Sequence, residues 1–233
     1  MNHAEIIQKT AEYVKAEFAR DSSGHDWWHI YRVWKNALAL CQHENADVYT
    51  VELAALLHDL DDWKLIPPPP AGDGPGMIAD GTPVRALAWL RQMEVSPAVT
   101  EHVCQIITHL SFKGAAVENK ISTLEGMIVQ DADRLDAIGA IGIARAFAYG
   151  GHAGRPLYDP AEPPQMHQSF EQYKASRSAT INHFYEKLLL LKDRMNTPAA
   201  KRIAAERHAF MQEFIQRFMI EWESKDAPAS KPD

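Results

Sequence analysis

Along most of this chain apolar residues recur every three or four positions, and polar, glycine-rich or proline-rich breaks divide that pattern into helices. The first helix is predicted over roughly residues 3 to 19, where Ile6, Ile7, Thr10, Tyr13, Val14 and Phe18 share a face. Asp21-Ser22-Ser23-Gly24 ends it and offers capping groups to the next, which opens in His25-Asp26-Trp27-Trp28-His29 and runs to about Asn45. A third helix is predicted from about 48 to 61; its apolar run Leu53-Ala54-Ala55-Leu56-Leu57 stops at His58-Asp59-Leu60-Asp61-Asp62. The stretch from Leu65 to Gly81 holds Pro67-Pro68-Pro69-Pro70 and four glycines, which excludes helix and leaves a surface insertion or a lid over a pocket. Thr82-Pro83 and Ser96-Pro97 each restart a helix with proline near the first turn. Thr123 opens a buried helix predicted to continue to about Ala148, with Gly150-Gly151 ending it. The last third reads as a segment near 169–175, a helix from about 180 to 195, and another from 198 to 224. No stretch alternates as a strand would, and no repeat or linker divides two cores. The expectation is all-α: a single-domain helical bundle over 1–224, with a flexible tail at 225–233.

Composition narrows what this bundle could do. Of 233 residues, 46% are hydrophobic and 24% charged, enough to build an ordinary core. A formal charge of −7 argues against a nucleic-acid polymer as partner, because neutralising a phosphate backbone takes a basic face. A small phosphorylated ligand is not excluded, since a bound ion can bring positive charge into an acidic protein. Cys41 and Cys104 read as reduced core thiols, with no disulfide framework. The polar start Met1-Asn2-His3-Ala4-Glu5 has no apolar stretch behind it, and no run approaches the ~20 residues of a membrane span. The reading is a soluble, cytoplasmic protein with no membrane partner; its oligomeric state stays open.

Three places carry chemistry that a plain bundle does not need. His58 and Asp59 close the most apolar helix, and although helical neighbours point about 100° apart, a long imidazole and a short carboxylate can converge on one cation. A mixed His/Asp set suits Mn, Fe, Co, Ni or Zn better than Ca or Mg. His29 lies in the first turn of the second helix. Asp131, Asp133 and Asp136 sit on a helix otherwise made of Met, Ile, Val, Ala and Leu, where buried carboxylates need a cation, whether an ion or Arg134. The bland alternative for His58-Asp59 alone is a helix end capped by solvated acids.

In order along the chain, Gly24-His25-Asp26-Trp27-Trp28-His29 with Arg32-Val33, Glu52-Leu53-Ala54-Ala55-Leu56-Leu57-His58-Asp59 and Asp131-Ala132-Asp133-Arg134-Leu135-Asp136 resemble the HD superfamily of metal-dependent phosphohydrolases. They are most similar to its bacterial YpgQ/YedJ-like branch, and the similarity runs from about residue 5 to 220. The resemblance implies an ion held by His29, His58, Asp59 and Asp133, with manganese favoured and water completing the shell. Helical periodicity by itself would instead put Asp131 in the fourth place, because it shares a face with Ile128, Leu135 and Ile138. Related enzymes carry an acid three residues after the HD aspartate, which here is Asp62, assigned to orienting or deprotonating the attacking water. Arg32, nearly on the His29 face, and Lys64 and Lys113 at loop edges are assigned to phosphate. His25 and Asp26 could orient His29, and His109 is either a core histidine or a site residue. Asp61 is expected on the surface, and of Trp27, Trp28 and Trp34, all read as core, Trp27 is expected to be the most exposed. The implied substrate is a nucleotide, in the YpgQ-like branch a (deoxy)nucleoside triphosphate cleaved to monophosphate and pyrophosphate. The alternatives are a phosphomonoesterase, a cyclic-nucleotide phosphodiesterase, or a non-catalytic metal- or nucleotide-binding module.

Overall fold

Capping and burial together define the helices of the computed structural model, which describes residues 1–19, 26–61, 82–110, 121–166 and 178–226. Helix α1 (His3–Glu17) starts from a capping box in which Asn2 Oδ1 accepts the Glu5 amide and the Glu5 carboxylate accepts the Asn2 amide. Helix α2 (Trp27–Cys41) is capped by Asp26, whose carboxylate accepts the His29 amide at 2.9 Å. Helix α3 (Val48–Leu57) starts at Asp47 and is buried nearly all round, with Val51 and every residue from Leu53 to Leu57 inaccessible to solvent. It packs against α1, α2, α5 (Pro97–Leu110) and α6 (Leu124–Asp136), while α4 (Val84–Gln92) leans on α5. Among the described residues there is no strand, and no helix is long and apolar enough to cross a membrane.

Several boundaries differ from the sequence expectation. The third helix stops at Leu57, and residues 58–61 form a turn. The long buried helix expected from Thr123 to Ala148 is two: α6 ends at Asp136, Ile138 is extended, and Gly139 turns the chain with φ +76° before α7 (Gly139–His152). Positive φ is a conformation that glycine takes without strain, and apolar periodicity does not report it. Glycines 150 and 151 do not end α7; a Cβ on Gly150 would lie 2.2 Å from Thr180 Oγ1, so its smallness lets α8 (Thr180–Glu186) approach. The expected 180–195 helix breaks at Lys187 into α8 and a 3-10 segment, Leu188–Arg194, whose three-residue period buries Leu188 and Leu191 together. Helix α9 (Pro198–Trp222), capped by Thr197, packs on α6, α7 and that segment. The predicted segment near 169–175 and residues 227–233 of the tail lie outside the described residues.

Candidate metal centre

Helices α2, α3 and α6 meet where their polar ends converge. Because Asp26 fixes the first turn of α2, His29 leaves that turn pointing into the bundle, 1% exposed. His58 ends α3 as its C-cap, and its Nδ1 lies 2.8 Å from the Ala55 carbonyl. That carbonyl can only accept, so Nδ1 of His58 carries the proton and Nε2 is left with a lone pair. On His29 the carboxylate of Asp136, 2.7 Å from Nδ1, does the same, and again Nε2 is the acceptor. The two Nε2 atoms face each other at 3.4 Å, and the oxygens of Asp59 lie 3.3 Å from each. His29, His58 and Asp59 thus present ligand atoms within 4.8 Å of one another, all buried. Two imidazole lone pairs and a carboxylate aimed at one point repel unless a cation sits between them. Ligands at about 2.1 Å from an ion stand about 3.0–3.4 Å apart in octahedral or tetrahedral geometry, which matches these separations. The donor set therefore fits a divalent transition ion.

The three aspartates of α6 go to different partners. Asp133 Oδ1 stands 3.6 Å from His29 Nε2, at the edge of the cluster, and its side chain is 36% exposed. Asp131 is fully buried and faces the other way. It accepts the backbone amides of Asn196 at 2.8 Å and Thr197 at 2.7 Å, together with Asn196 Nδ2 and Thr197 Oγ1, at the start of α9. The periodicity that favours Asp131 locates the buried face of α6 correctly, but at that point this face looks toward α9. Asp136 is bound by His29 Nδ1, by Arg32 through Nε at 2.6 Å and Nη2 at 3.1 Å, and by Arg145 Nη1 at 2.8 Å.

These contacts set the charge states. Burial alone would raise the Asp136 carboxyl, but His29, Arg32 and Arg145 hold it far below the usual carboxylate range. Burial and the Arg145 guanidinium oppose protonation of His29, yet Asp136 and Asp59 outweigh them, so a proton competes for this ring above its ordinary value. Burial raises Asp131, with the Asn196 and Thr197 amides, the Thr197 hydroxyl and the Arg134 charge pulling the other way. Burial also pushes both cysteine thiols up to about 11, which keeps them protonated and poor ligands.

Of the other expected residues, Asp62, Lys64, Lys113 and His25 lie outside the described residues. Arg32 reaches the centre with its guanidinium on Asp136. Asp26 accepts the His29 backbone amide through its side chain. His109 bonds to the Gln105 carbonyl on α5 and borders a groove with Thr82, Arg91 and Cys104. Two expectations are corrected. Asp61 is buried, not on the surface: it accepts the Arg85 and Ala86 amides, both at 3.0 Å, at the start of α4, tying the His58-Asp59 turn to that helix. Trp28, not Trp27, is the exposed indole at 57%, and it lies outside the core. Arg145 went unnoticed in the sequence; its signal is a single arginine on the otherwise uncharged run from Gly139 to Gly151.

An all-α scaffold with a His-His-Asp cluster at the meeting of α2, α3 and α6 is the arrangement of a metal-binding protein, and similarity to known proteins makes the class specific. The HD domain family model matches residues 27–138. YpgQ of Bacillus subtilis strain 168 is 36% identical over 232 residues, 99% of this chain and all of that one. A crystal structure from Lactobacillus plantarum superposes with a TM-score of 0.80 at 38% identity, covering 96% of this chain and 100% of the other. An HD-superfamily hydrolase from Bacillus thuringiensis gives 0.71 at 43% identity, over 95% and 99%. YpgQ crystallised in complex with ADP gives 0.68 at 35% identity, over 96% and 98%. The chain belongs to the HD family of hydrolases, in its YpgQ-like branch.

Proposed function

We propose that this protein hydrolyses a nucleotide, adding water across the α–β bridge of a (deoxy)nucleoside triphosphate to release monophosphate and pyrophosphate. The observation that carries the reading is the convergence of His29 Nε2, His58 Nε2 and the Asp59 carboxylate at mutual distances of 3.3–3.4 Å. His29, His58, Asp59 and Asp133 would hold the ion, manganese for preference, which supplies Lewis acidity to a phosphoryl oxygen and to water. Phosphoryl transfer spreads negative charge over the equatorial oxygens, so catalysis here is positioning plus cationic stabilisation. Asp62 is assigned to orient the water and accept its proton, and Lys64 and Lys113 to meet the phosphates. Arg32 commits Nε and Nη2 to Asp136, so its phosphate contact falls to Nη1. The ADP complex of YpgQ supports a nucleotide as the ligand class.

The test is to incubate the purified protein with manganese and a panel of nucleotides and to follow phosphate, pyrophosphate and monophosphate. Pyrophosphate and monophosphate in equal amounts are expected. Phosphate alone would mean a phosphomonoesterase, ring opening of a cyclic nucleotide a phosphodiesterase, and bound ion without any product a binding module.

A further inference from the structure

We infer that Arg145 is a positioning residue for His29, acting through Asp136, and that the chain break at Gly139 exists in this fold to deliver it. The inference rests on the reading of His29 as an ion ligand. Asp136 is the last residue of α6 and 2% exposed. A carboxylate there is doubly disfavoured, by burial and by the negative end of the helix dipole, so it stays in place only with strong cationic donors. Its Oδ2 receives three: His29 Nδ1 at 2.7 Å, Arg145 Nη1 at 2.8 Å and Arg32 Nη2 at 3.1 Å. His29 and Arg32 both belong to α2, one turn apart, so they approach from one side and shift together. Arg145 comes from α7 and holds the same oxygen from a second helix. With Oδ2 held from both helices, its bond to Nδ1 keeps the His29 ring turned so that the Nε2 lone pair meets Asp59 and His58.

The break makes this possible. In one unbroken helix, nine residues would separate Asp136 from Arg145 by about 13 Å along the axis and half a turn around it. An arginine pointing away at that distance does not reach the carboxylate. The turn at Gly139, with φ +76°, folds α7 back onto the end of α6. The position admits little else: a Cβ there would meet Arg207 Cγ at 2.9 Å, and Arg207 itself donates Nη1 to the Leu135 carbonyl.

The experiment measures Mn(II) affinity by calorimetry and the Co(II) absorption spectrum, for wild type, Arg145→Ala, Arg145→Gln and Arg145→Lys, with the melting temperature of the ion-free forms alongside. Loss of an outer partner of a ligating histidine weakens metal binding by about 10–100-fold. About tenfold weaker Mn(II) binding and a shifted Co(II) band are expected for Arg145→Ala and Arg145→Gln, with part of the affinity restored in Arg145→Lys. A purely structural role would move the melting temperature and leave the Co(II) band alone. Wild-type affinity and spectrum in Arg145→Ala, or in Arg145→Gln should the alanine variant not fold, would overturn the inference and leave the ion site standing. A wild-type protein that bound neither ion would remove the site reading and this inference together.

Discussion

Replacing Asp131 with alanine should destabilise the protein while leaving its ion site intact, and the structure sets the size of the effect. The carboxylate is fully buried and accepts two backbone amides and two side-chain donors at 2.7–2.9 Å where α9 begins. Losing a hydrogen bond nets about 0.5–1.5 kcal/mol. Stranding a buried donor costs about 1–3 kcal/mol more, and two amides are stranded here. Part of this returns, because burial raises the Asp131 pKa and the variant no longer pays to desolvate a charge. Thr197 Oγ1 also still accepts the Ala200 amide at 3.3 Å, so the cap of α9 is weakened and not abolished. The net expectation is about 2–4 kcal/mol, or about 5–15 °C in a chain of this length. Thermal melts of EDTA-treated protein read the loss, and calorimetry reads Mn(II) affinity, which should match wild type. Asp133→Ala should do the converse: a stability change within about 0.5 kcal/mol, as for a half-exposed side chain, with Mn(II) binding lost. If Asp131→Ala lost the ion at an unchanged melting temperature, Asp131 would be the ligand and the division of the two acids wrong.

Other consequences follow from the same contacts. His58→Ala should lose both ion and turnover, whereas Asp62→Ala should keep the ion and lose rate; full turnover in Asp62→Ala would remove its water-positioning role. Asp136 has its pKa lowered by folding, so its contribution is present above the unfolded value near 3.9 and is lost as pH falls through the folded one. The stability gap between ion-free wild type and Asp136→Asn should therefore be full at pH 7 and narrow below about pH 4; a gap that widens in acid would contradict the His29, Arg32 and Arg145 contacts. Saturating Mn(II) should raise the melting temperature by about 5–11 °C at a hundredfold excess over Kd, since about 2.7 kcal/mol of linkage is then available. The His58→Ala variant should show no such rise.

Much of the frame was legible because it depends on local chemistry. The start at Thr123 and the apolar face of each long helix are signals within one or two turns of the residue concerned. His29, His58 and Asp59 were legible through order along the chain and resemblance; no periodicity argument brings α2 and α3 together. What escaped depends on contacts between elements distant in sequence. Asp61 was read as a surface acid, yet it accepts amides at the start of α4, 24 residues on. Trp28 was read as core, although α2 buries His29, Ile30 and Val33 and turns that indole outward. The break at Gly139 was hidden inside a run of small apolar residues that would also suit a continuous helix.

The aspartates of α6 show how one helix serves three tasks and why sequence separates them only in part. At 100° per residue, Asp133 and Asp136 lie about 60° apart on one side, while Asp131 lies about 140–160° from both. That spacing alone predicts two acids facing together and one facing away. It does not say which side meets α2 and His29 and which meets α9, because both sides are buried in this fold. The decision comes from the residue that waits on each side. Thr197, before Pro198, offers an amide and a hydroxyl, and a carboxylate that accepts both ties α6 to the start of α9. His29 offers two nitrogens pointing opposite ways, so the acids facing it divide between them: Asp136 takes Nδ1 at 2.7 Å, and Asp133 stands 3.6 Å from Nε2. The same carboxylate chemistry thus gives a tie to the start of α9, an anchor for His29 and a place beside its Nε2, and the difference between them lies in the protons of the facing groups.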